Sequence, residues 1–295
     1  MRTCIIFNPT AKGQKAEKLR SRLDVISQHA VLKSTTAAGD ARRLTTEAIQ
    51  AGGDTIIAAG GDGTVNEVLN GIADAQAFNR VRLGILPLGT VNVFARELGI
   101  PTHPSKAWDL VLRGRYTRID LAWVEFNHND HQQRRYFAQL AGAGLDARAI
   151  KLVEWKHKQS VGPLAYVIAG FKALRERQPK ITVTYGDRSV TGEFVLIGNG
   201  KFYGGPIKMF PEARMRDGQL DICIFPRVNT VSAIFHLLRA SLSKSFPQDG
   251  LQRLRTTDFS IAAEAEVGFE LDGEWIGNLP AHFGVEREQL RVIVP

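Results

Sequence analysis

The fold of this 295-residue chain is decided by residues 55–64, which have the sequence TIIAAGGDGT. The first five residues form an apolar run of the kind found in parallel strands that are covered on both faces. A glycine-rich turn follows, and Val65–Ala73 then has the apolar spacing of a helix. A strand that passes through such a turn into a helix is the unit from which doubly wound α/β domains are built.

The residues around this stretch repeat the alternation of strand and helix. Residues 1–120 are therefore predicted to form an α/β domain with a doubly wound sheet. Its other strands are predicted at Cys4–Asn8, Val31–Thr35 and Val81–Leu86, and its other helices at Lys15–Gln28, from Asp40 as the cap to about Ala51, and at Val93–Leu98.

From about residue 121 the pattern changes to short strand-like runs with few helices between them. We predict that residues 121–284 form a β-rich, antiparallel, sandwich-like domain with helical insertions at about 147–177 and 229–246. A last strand, within about 285–295, is predicted to return to the first domain. The strand-like runs are Leu121–Phe126, Arg135–Leu140, Ile181–Tyr185, Ser189–Ile197, Leu220–Phe225, Phe259–Ala262, Glu266–Leu271 and Gln289–Val294.

Composition narrows the classes of function. Lysine and arginine number 38 against 30 acidic residues, and this net charge of +8 indicates an anionic partner. Cys4 and Cys223 each lie in a strand-like run, which predicts buried free thiols. The absence of CxxC and HExxH disfavours zinc. Because the sequence contains no signal-peptide pattern and no apolar run of about 20 residues, we expect a cytoplasmic protein that contacts a membrane at most from one side.

The glycine loop at residues 60–64 is suited to phosphate, because backbone N–H groups can approach phosphate oxygens where side chains are absent. Asp62 cannot itself attract an anion, so it is expected to hold a divalent cation or to orient a reacting hydroxyl. Thr64, Asn66 and Glu67 add polar groups. The loop is neither the dinucleotide-binding GxGxxG nor a Walker A loop. A plain strand-to-helix turn is the structural alternative.

A second loop, residues 87–92, also leaves an apolar strand and enters a predicted helix. Alone it indicates only a turn and a helix cap. Together with the first loop, Gly89 and Thr90 are expected to form the second wall of a nucleotide cleft.

The chain resembles, almost from end to end, the diacylglycerol kinase catalytic-domain family of soluble bacterial lipid kinases. The resemblance rests on motifs that occur in the family's order: Asn8-Pro9 with Gly13, Thr35 with Gly39-Asp40-Ala41, Gly60–Thr64 with Asn66-Glu67, Leu88–Arg96, Gly142–Ala147, Gly204-Gly205, Pro211–Ala213, Asp217–Asp221 and Asp272-Gly273-Glu274. Two positions depart from the family pattern: Val93 stands where many members have aspartate, and Gly13 falls one place late.

The resemblance implies roles for individual residues. Glu274 would take the proton from the lipid hydroxyl, with Asp272 beside it, and Asp62 would serve the ATP–Mg²⁺ centre. ATP would contact Asn8, Thr35, Gly60, Gly61, Asp62, Gly63, Thr64, Asn66, Glu67, Gly89 and Thr90. Mg²⁺ would be held by Asp217 with the backbone carbonyls of Arg214 and Gln219, and Asp120 would be linked to this magnesium network.

Spacing alone gives the Asp272-Gly273-Glu274 segment a second interpretation, because Asp-Gly is typical of a hairpin turn. Asp217-Gly218 has the same ambiguity. The basic and apolar stretch Lys151–Arg177 and the stretch Val231–Phe246 could face an anionic membrane or could pack as ordinary helices.

The function predicted from these observations is an ATP-dependent lipid kinase, with diacylglycerol or a related glycerolipid as the acceptor. Its partners would be ATP and a lipid at an anionic membrane surface, without nucleic acid, and a homodimer is possible. Two alternatives stay open: an NAD-kinase-like enzyme with a soluble acceptor, and a nucleotide- or lipid-binding regulator without catalysis.

Overall fold

The computed structural model describes residues 2–9, 30–156, 178–228, 239, 243, 245–247 and 249–295. The predicted helix Lys15–Gln28, Gly13, and most of the two basic stretches at 151–177 and 231–246 lie outside these residues. The chain divides into two compact units. The first comprises Met1–Leu121, Met215–Asp217 and Glu286–Pro295, and the second comprises Ala122–Arg214 and Gly218–Val285.

The first unit contains a parallel sheet. Its strands are β1 (Thr3–Phe7), β2 (Val31–Ser34), β3 (Thr55–Gly60) and β4 (Arg82–Pro87). They lie in the order β2-β1-β3-β4. All six residues of β3 are buried, as its uninterrupted apolar sequence predicts.

The helices of the first unit are α1 (Asp40–Gln50), α2 (Asp62–Asp74), α3 (Val93–Glu97) and α4 (Pro104–Arg113). The prediction that Asp40 caps α1 is wrong, because Gly39 occupies the cap position in the left-handed conformation. Asp40 is the first helical residue, and its carboxylate accepts the N–H groups of Thr36 and Ala37 instead. Helix α2 begins at Asp62 rather than Val65, so Gly63 and Thr64 lie in its first turn.

The second unit is dominated by antiparallel strands and contains one described helix, α5 (Leu145–Lys156). The strands are β5 (Tyr116–His128), β6 (His131–Phe137), β7 (Leu140–Ala143), β8 (Ile181–Tyr185), β9 (Arg188–Gly192), β10 (Phe194–Gly198), β11 (Phe202–Tyr203), β12 (Ile207–Lys208), β13 (Leu220–Phe225), β14 (Gln252–Thr256), β15 (Asp258–Ala263), β16 (Gly268–Leu271), β17 (Glu274–Asn278) and β18 (Ala281–Ile293). The first residues of β5 and the last residues of β18 belong to the first unit.

Two sheets of the second unit pack face to face. One has the order β14-β13-β10-β7-β16-β17, and the other contains the beginning of β18 followed by β15, β8 and β9. Phe269 of the first sheet contacts Phe283 of the second, with ring centroids 6.0 Å apart, and Phe283 stacks on Phe259 at 5.4 Å. These rings lie in one buried core, which confirms the predicted sandwich.

The predicted single strand Ser189–Ile197 is two strands. β9 pairs with β8 in one sheet, whereas β10 pairs with β7 and β13 in the other. The chain therefore changes sheets at Glu193, and a continuous strand is impossible there. The predicted run Arg135–Leu140 is divided between β6 and β7 in the same way.

Both cysteines are buried free thiols, as predicted. No helix in the described part of the chain is long and apolar enough to cross a membrane. The final strand returns to the first unit, where Val292 of β18 pairs in parallel with Leu83 of β4.

Candidate active site

The carboxyl ends of the parallel strands bring the predicted nucleotide residues to one edge of the first unit's sheet. Asn8 follows β1, and its N–H donates to the carbonyl of Ala59 at 3.0 Å. Thr35 follows β2, and its N–H donates to the carbonyl of Phe7 at 2.9 Å. This edge is where open α/β sheets bind their ligands.

The two glycine loops, residues 60–64 and 87–92, lie backbone against backbone at this edge. The N–H of Leu88 donates to the carbonyl of Gly60 at 2.9 Å. A Cβ atom on Gly89 would lie 2.5 Å from the Cα of Gly61, so no side chain fits at position 89. Gly89 is thus explained by the close approach of the loops, and helix α2 begins here with no side chain capping its first N–H groups. A helix start of this kind carries positive potential that suits a phosphate.

Asp62 links the two loops. Its Oδ2 accepts the N–H of Val93 at 3.1 Å, and its Oδ1 accepts the N–H of Phe94 at 3.2 Å. Both N–H groups belong to the beginning of α3, whose free donors need acceptors. The prediction that Asp62 serves an ATP–Mg²⁺ centre stays untested, and the structure adds a contact that spacing did not predict. Val93, the position that departs from the family pattern, takes part through its backbone.

Glu67 has a similar structural contact at the beginning of α1. Its two carboxylate oxygens accept the N–H groups of Gly39 at 3.0 Å and Ala41 at 2.9 Å. Asn66 is buried and accepts a hydrogen bond from the Asn70 amide at 3.1 Å. Thr64, by contrast, lies against the strand ends, where its hydroxyl accepts a bond from Asn8 Nδ2 at 3.3 Å. Glu67 and Asn66 thus make internal contacts that the sequence analysis missed.

In the second unit, Asp272-Gly273 forms the turn between β16 and β17, as the hairpin interpretation predicted. Both residues have positive φ, 48° for Asp272 and 91° for Gly273. The Asp272 carboxylate accepts three backbone N–H groups, from Ala138 at 2.7 Å, Gln139 at 2.9 Å and Leu140 at 3.1 Å. Asp272 therefore anchors the turn to the segment that joins β6 and β7. Glu274 is the first residue of β17 and is partly buried.

A group of buried polar side chains that sequence reasoning missed lies next to this turn. Glu270 is fully buried, and its Oε2 accepts the N–H of Gly273 at 2.8 Å. Tyr203 donates its hydroxyl to Asp146 Oδ1 at 3.0 Å. Burial, reinforced by the charge of Asp146, raises the pKa of Glu270 well above its usual range. The available signal was a glutamate set between two apolar strand residues, Phe269 and Leu271.

Comparison with known proteins identifies the family. Residues 2–124 match the model of the diacylglycerol kinase catalytic domain, and residues 139–294 match the YegS C-terminal NAD kinase beta sandwich-like domain. A diacylglycerol kinase from Staphylococcus saprophyticus is 31% identical over all of this chain and 95% of its own length. The chain belongs to the diacylglycerol kinase catalytic-domain family.

A second relative agrees with this membership, and a solved structure has the same fold. A diacylglycerol kinase from Bacillus subtilis strain 168 is 31% identical over all of this chain and 96% of its own length. The crystal structure of a diacylglycerol kinase from Bacillus anthracis strain Sterne has the same fold, with a TM-score of 0.72 at 23% identity over 100% of this chain and 97% of that one. The two family domains correspond to the α/β and the sandwich-like parts of the chain.

Of the four residues that the resemblance links to magnesium, only Asp120 is fully buried. Asp120 is fully buried, its N–H donates to the carbonyl of Met215 at 2.7 Å, and its Oδ1 accepts the N–H of Glu288 at 2.8 Å. Asp217 follows two residues after Met215 in the same unit. The predicted donors are a carboxylate and the carbonyls of Arg214 and Gln219, and such oxygens suit Mg²⁺, which also retains water. In the described residues no three acidic, histidine or cysteine side chains converge on a metal, so carbonyls and water would have to complete this site.

A cavity of about 760 Å³ lies in the second unit beside β17. Helix α5 contributes Arg148 and Lys151, and β17 contributes Trp275. The Lys151 ammonium lies 4.8 Å from the centroid of the Trp275 ring. Because Trp275 follows Glu274, this cavity adjoins the strand that carries the predicted base.

Proposed function

We propose that this chain is an ATP-dependent lipid kinase that transfers the γ-phosphate of ATP to a lipid hydroxyl, with diacylglycerol or a related glycerolipid as the acceptor. The observation that carries the proposal is the end-to-end match to diacylglycerol kinases, together with paired glycine loops at the strand ends of the first unit. Phosphoryl transfer needs little covalent chemistry from the protein, so positioning and charge neutralisation are its main requirements.

Each group has a defined task in this proposal. The backbone N–H groups of the glycine loops and the start of α2 bind the phosphates of ATP. The carboxylate of Glu274 accepts the proton of the acceptor hydroxyl while that oxygen attacks the γ-phosphorus, and the bond to the β–γ bridging oxygen breaks to release ADP. Mg²⁺, when bound, neutralises charge on the phosphates. Asp272 holds the turn that carries Glu274 through its three backbone contacts.

The test is transfer of radiolabelled phosphate from ATP to acceptors presented side by side. Vesicles would contain diacylglycerol, phosphatidylglycerol or a sphingoid base, and NAD would be offered in solution. We expect label in diacylglycerol. Label in NAD alone would favour the soluble-acceptor alternative, and the absence of label in every acceptor would favour a non-catalytic regulator.

We also propose that the protein works in the cytoplasm and binds an anionic membrane surface peripherally. The net charge of +8 supports this location. Exposed electrostatic attraction weakens as the Debye length falls from about 10 Å at 0.1 M salt to about 3 Å at 1 M. We therefore expect sedimentation with anionic vesicles to decrease as salt rises, with zwitterionic vesicles as the control. Binding to anionic vesicles that does not change with salt would contradict this proposal.

A further inference from the structure

Glu270 has an unusual position for an acidic residue. It lies in β16, which is next to the edge strand β17 in the second unit's six-stranded sheet, and its exposed fraction is 0%. Its Oε2 accepts the N–H of Gly273, the middle residue of the Asp272-Gly273-Glu274 turn. Its Oε1 has no hydrogen-bond partner within the described part of the chain. A buried carboxylate with one unsatisfied oxygen is costly, so this oxygen requires an explanation.

Asp146 explains the unsatisfied oxygen of Glu270. Because Gly142 has no side chain, the carboxyl groups of Glu270 and Asp146 can both lie beside it. Gly142 of β7 is the cross-strand neighbour of Glu270. A Cβ atom on Gly142 would lie 3.0 Å from Glu270 Oε1 and 3.2 Å from Asp146 Oδ2. The other oxygen of Asp146 already accepts the hydroxyl of Tyr203. The two remaining oxygens therefore flank one position.

The charged groups around this position favour a shared proton. Asp146 and Asp272 both raise the pKa of Glu270, and only the N–H of Gly273 opposes burial. Burial raises the pKa of Asp146 to about 6, and the hydroxyl of Tyr203 opposes it only partly. The pKa of Tyr203 is also raised well above its usual value, so it stays a donor. The cations of α5, Arg148 and Lys151, line the adjoining cavity.

We propose that Glu270 is a positioning residue that acts as a neutral carboxylic acid, holding the Asp272-Gly273-Glu274 turn through Gly273 while its Oε1–H faces Asp146. Its consequence for activity rests on the proposed kinase function. The proton on Glu270 connects the turn to Asp146 of α5. Asp146 in turn accepts the hydroxyl of Tyr203, which lies in β11. Loss of the proton places a second buried negative charge beside Asp146 and weakens the support of Glu274.

The first experiment compares Glu270→Gln with Glu270→Ala. Glutamine is always neutral, and it keeps an acceptor for Gly273 and a donor toward Asp146. Alanine keeps neither. We expect the kcat of Glu270→Gln to stay close to that of the wild type, whereas Glu270→Ala loses up to about 10²-fold in kcat with unchanged ATP affinity, as misplacement of a catalytic group does. Asp187→Asn, which removes an exposed carboxylate from the turn between β8 and β9, is the control.

The second experiment needs no kinase activity. Glu270 and Asp146 have raised pKa values in the folded protein, so the stability that their protonated forms contribute is fully present below their unfolded values of 4.5 and 3.8. It is lost as the pH rises through the folded values, that of Asp146 being about 6. Because glutamine does not ionise, the Glu270→Gln variant does not lose the part of this stability that comes from residue 270. We expect its Tm advantage over the wild type to grow from pH 4 to pH 8.

Three results would overturn the proposal. Glu270→Ala with wild-type kcat would exclude a positioning role, and inactive Glu270→Gln would show that the ionised form is needed. A Tm difference between Glu270→Gln and the wild type that is constant from pH 4 to pH 8 would exclude the shared proton. A wild-type enzyme without kinase activity would remove the proposed function but would leave the Tm comparison intact.

Discussion

Acidic side chains have opposite roles in the two units. In the first unit, Asp62 and Glu67 each accept two backbone N–H groups at the start of a neighbouring helix. In the second unit, Asp146 and Glu270 flank one glycine, and of the two only Glu270 accepts a backbone N–H group, that of Gly273. Backbone N–H donors favour the charged form of an acid, whereas burial beside a second carboxyl group favours the neutral form. The first pair thus joins loops through backbone hydrogen bonds, and the second pair is suited to hold a proton.

The largest expected effect separates the unit that is proposed to bind ATP from the turn that is proposed to supply the base. Glu274→Gln keeps the size of the side chain but removes the proton acceptor, so lipid phosphorylation should fall by about 10²–10⁴-fold. ATP affinity, measured by calorimetry, should not change, because the proposed nucleotide contacts lie in the first unit. Loss of ATP binding together with activity would show that Glu274 is structural. Wild-type turnover would place the base elsewhere.

The close approach of the glycine loops gives a matched pair of variants. Gly89→Ala would place Cβ 2.5 Å from Gly61 Cα and 2.9 Å from Asn92 Oδ1, whereas Gly61→Ala would meet its nearest neighbour at an ordinary 3.4 Å. Overpacking of this kind costs about 1–3 kcal/mol of unfolding free energy. We expect Gly89→Ala to lose this stability and to bind ATP more weakly, and Gly61→Ala to lose much less. Equal losses in urea unfolding and ATP titration would contradict the packing described for these loops.

Asp62→Asn tests whether Asp62 has a structural role besides its predicted catalytic one. In asparagine an NH2 group replaces one carboxylate oxygen, so one backbone N–H of α3 loses its acceptor. An unsatisfied donor of this kind costs about 1–3 kcal/mol of unfolding free energy. We expect turnover to fall and urea unfolding to shift. Asp74→Asn, which removes an exposed ion-pair partner of Arg42, should shift unfolding by at most about 1 kcal/mol. Unchanged stability of Asp62→Asn would leave catalysis as its role, and normal turnover would remove Asp62 from the mechanism.

The smallest expected effect concerns Glu67, for which the sequence and the structure suggest different roles. If its contacts at Gly39 and Ala41 are its main role, Glu67→Ala loses a helix cap worth about 0.5–2 kcal/mol while the KM for ATP stays unchanged. Steady-state kinetics and thermal unfolding distinguish the outcomes. A raised KM at unchanged stability would establish the nucleotide contact that the sequence predicted.

Local patterns were sufficient to predict the fold and the glycine loops. The run of apolar residues before Gly60 specified a buried parallel strand, and the many short runs after residue 121 specified a sandwich. Helix α4 was missed, although Pro104 at its first position and the spacing of Ala107, Leu110 and Val111 are typical helix signals. Strand β17 was missed because its five residues follow directly on a turn that was considered for its chemistry.

The contacts of the acidic residues were beyond prediction from spacing. Asp62 accepts the N–H of Val93 in α3, 31 residues away along the chain. Glu67 accepts the N–H of Gly39, the cap of α1, 28 residues away. In an open sheet, the alternation of side chains along β16 would leave Glu270 on an exposed face. Here α5 packs against β16 and covers that face. The burial of Glu270 results from the packing of elements that are distant in sequence. The same packing places Gly142 between two carboxyl groups.

Strand β18 has a consequence for the order in which the protein can be completed. Its first residues pair with β15 of the second unit, whereas Val292 pairs with β4 of the first, and Glu288 donates its N–H to the buried carboxylate of Asp120. Residues 286–295 follow the second unit along the chain, so translation reaches them only after that unit has been synthesised. The sheet of the first unit therefore includes residues that are synthesised after the second unit, and it cannot be complete before them.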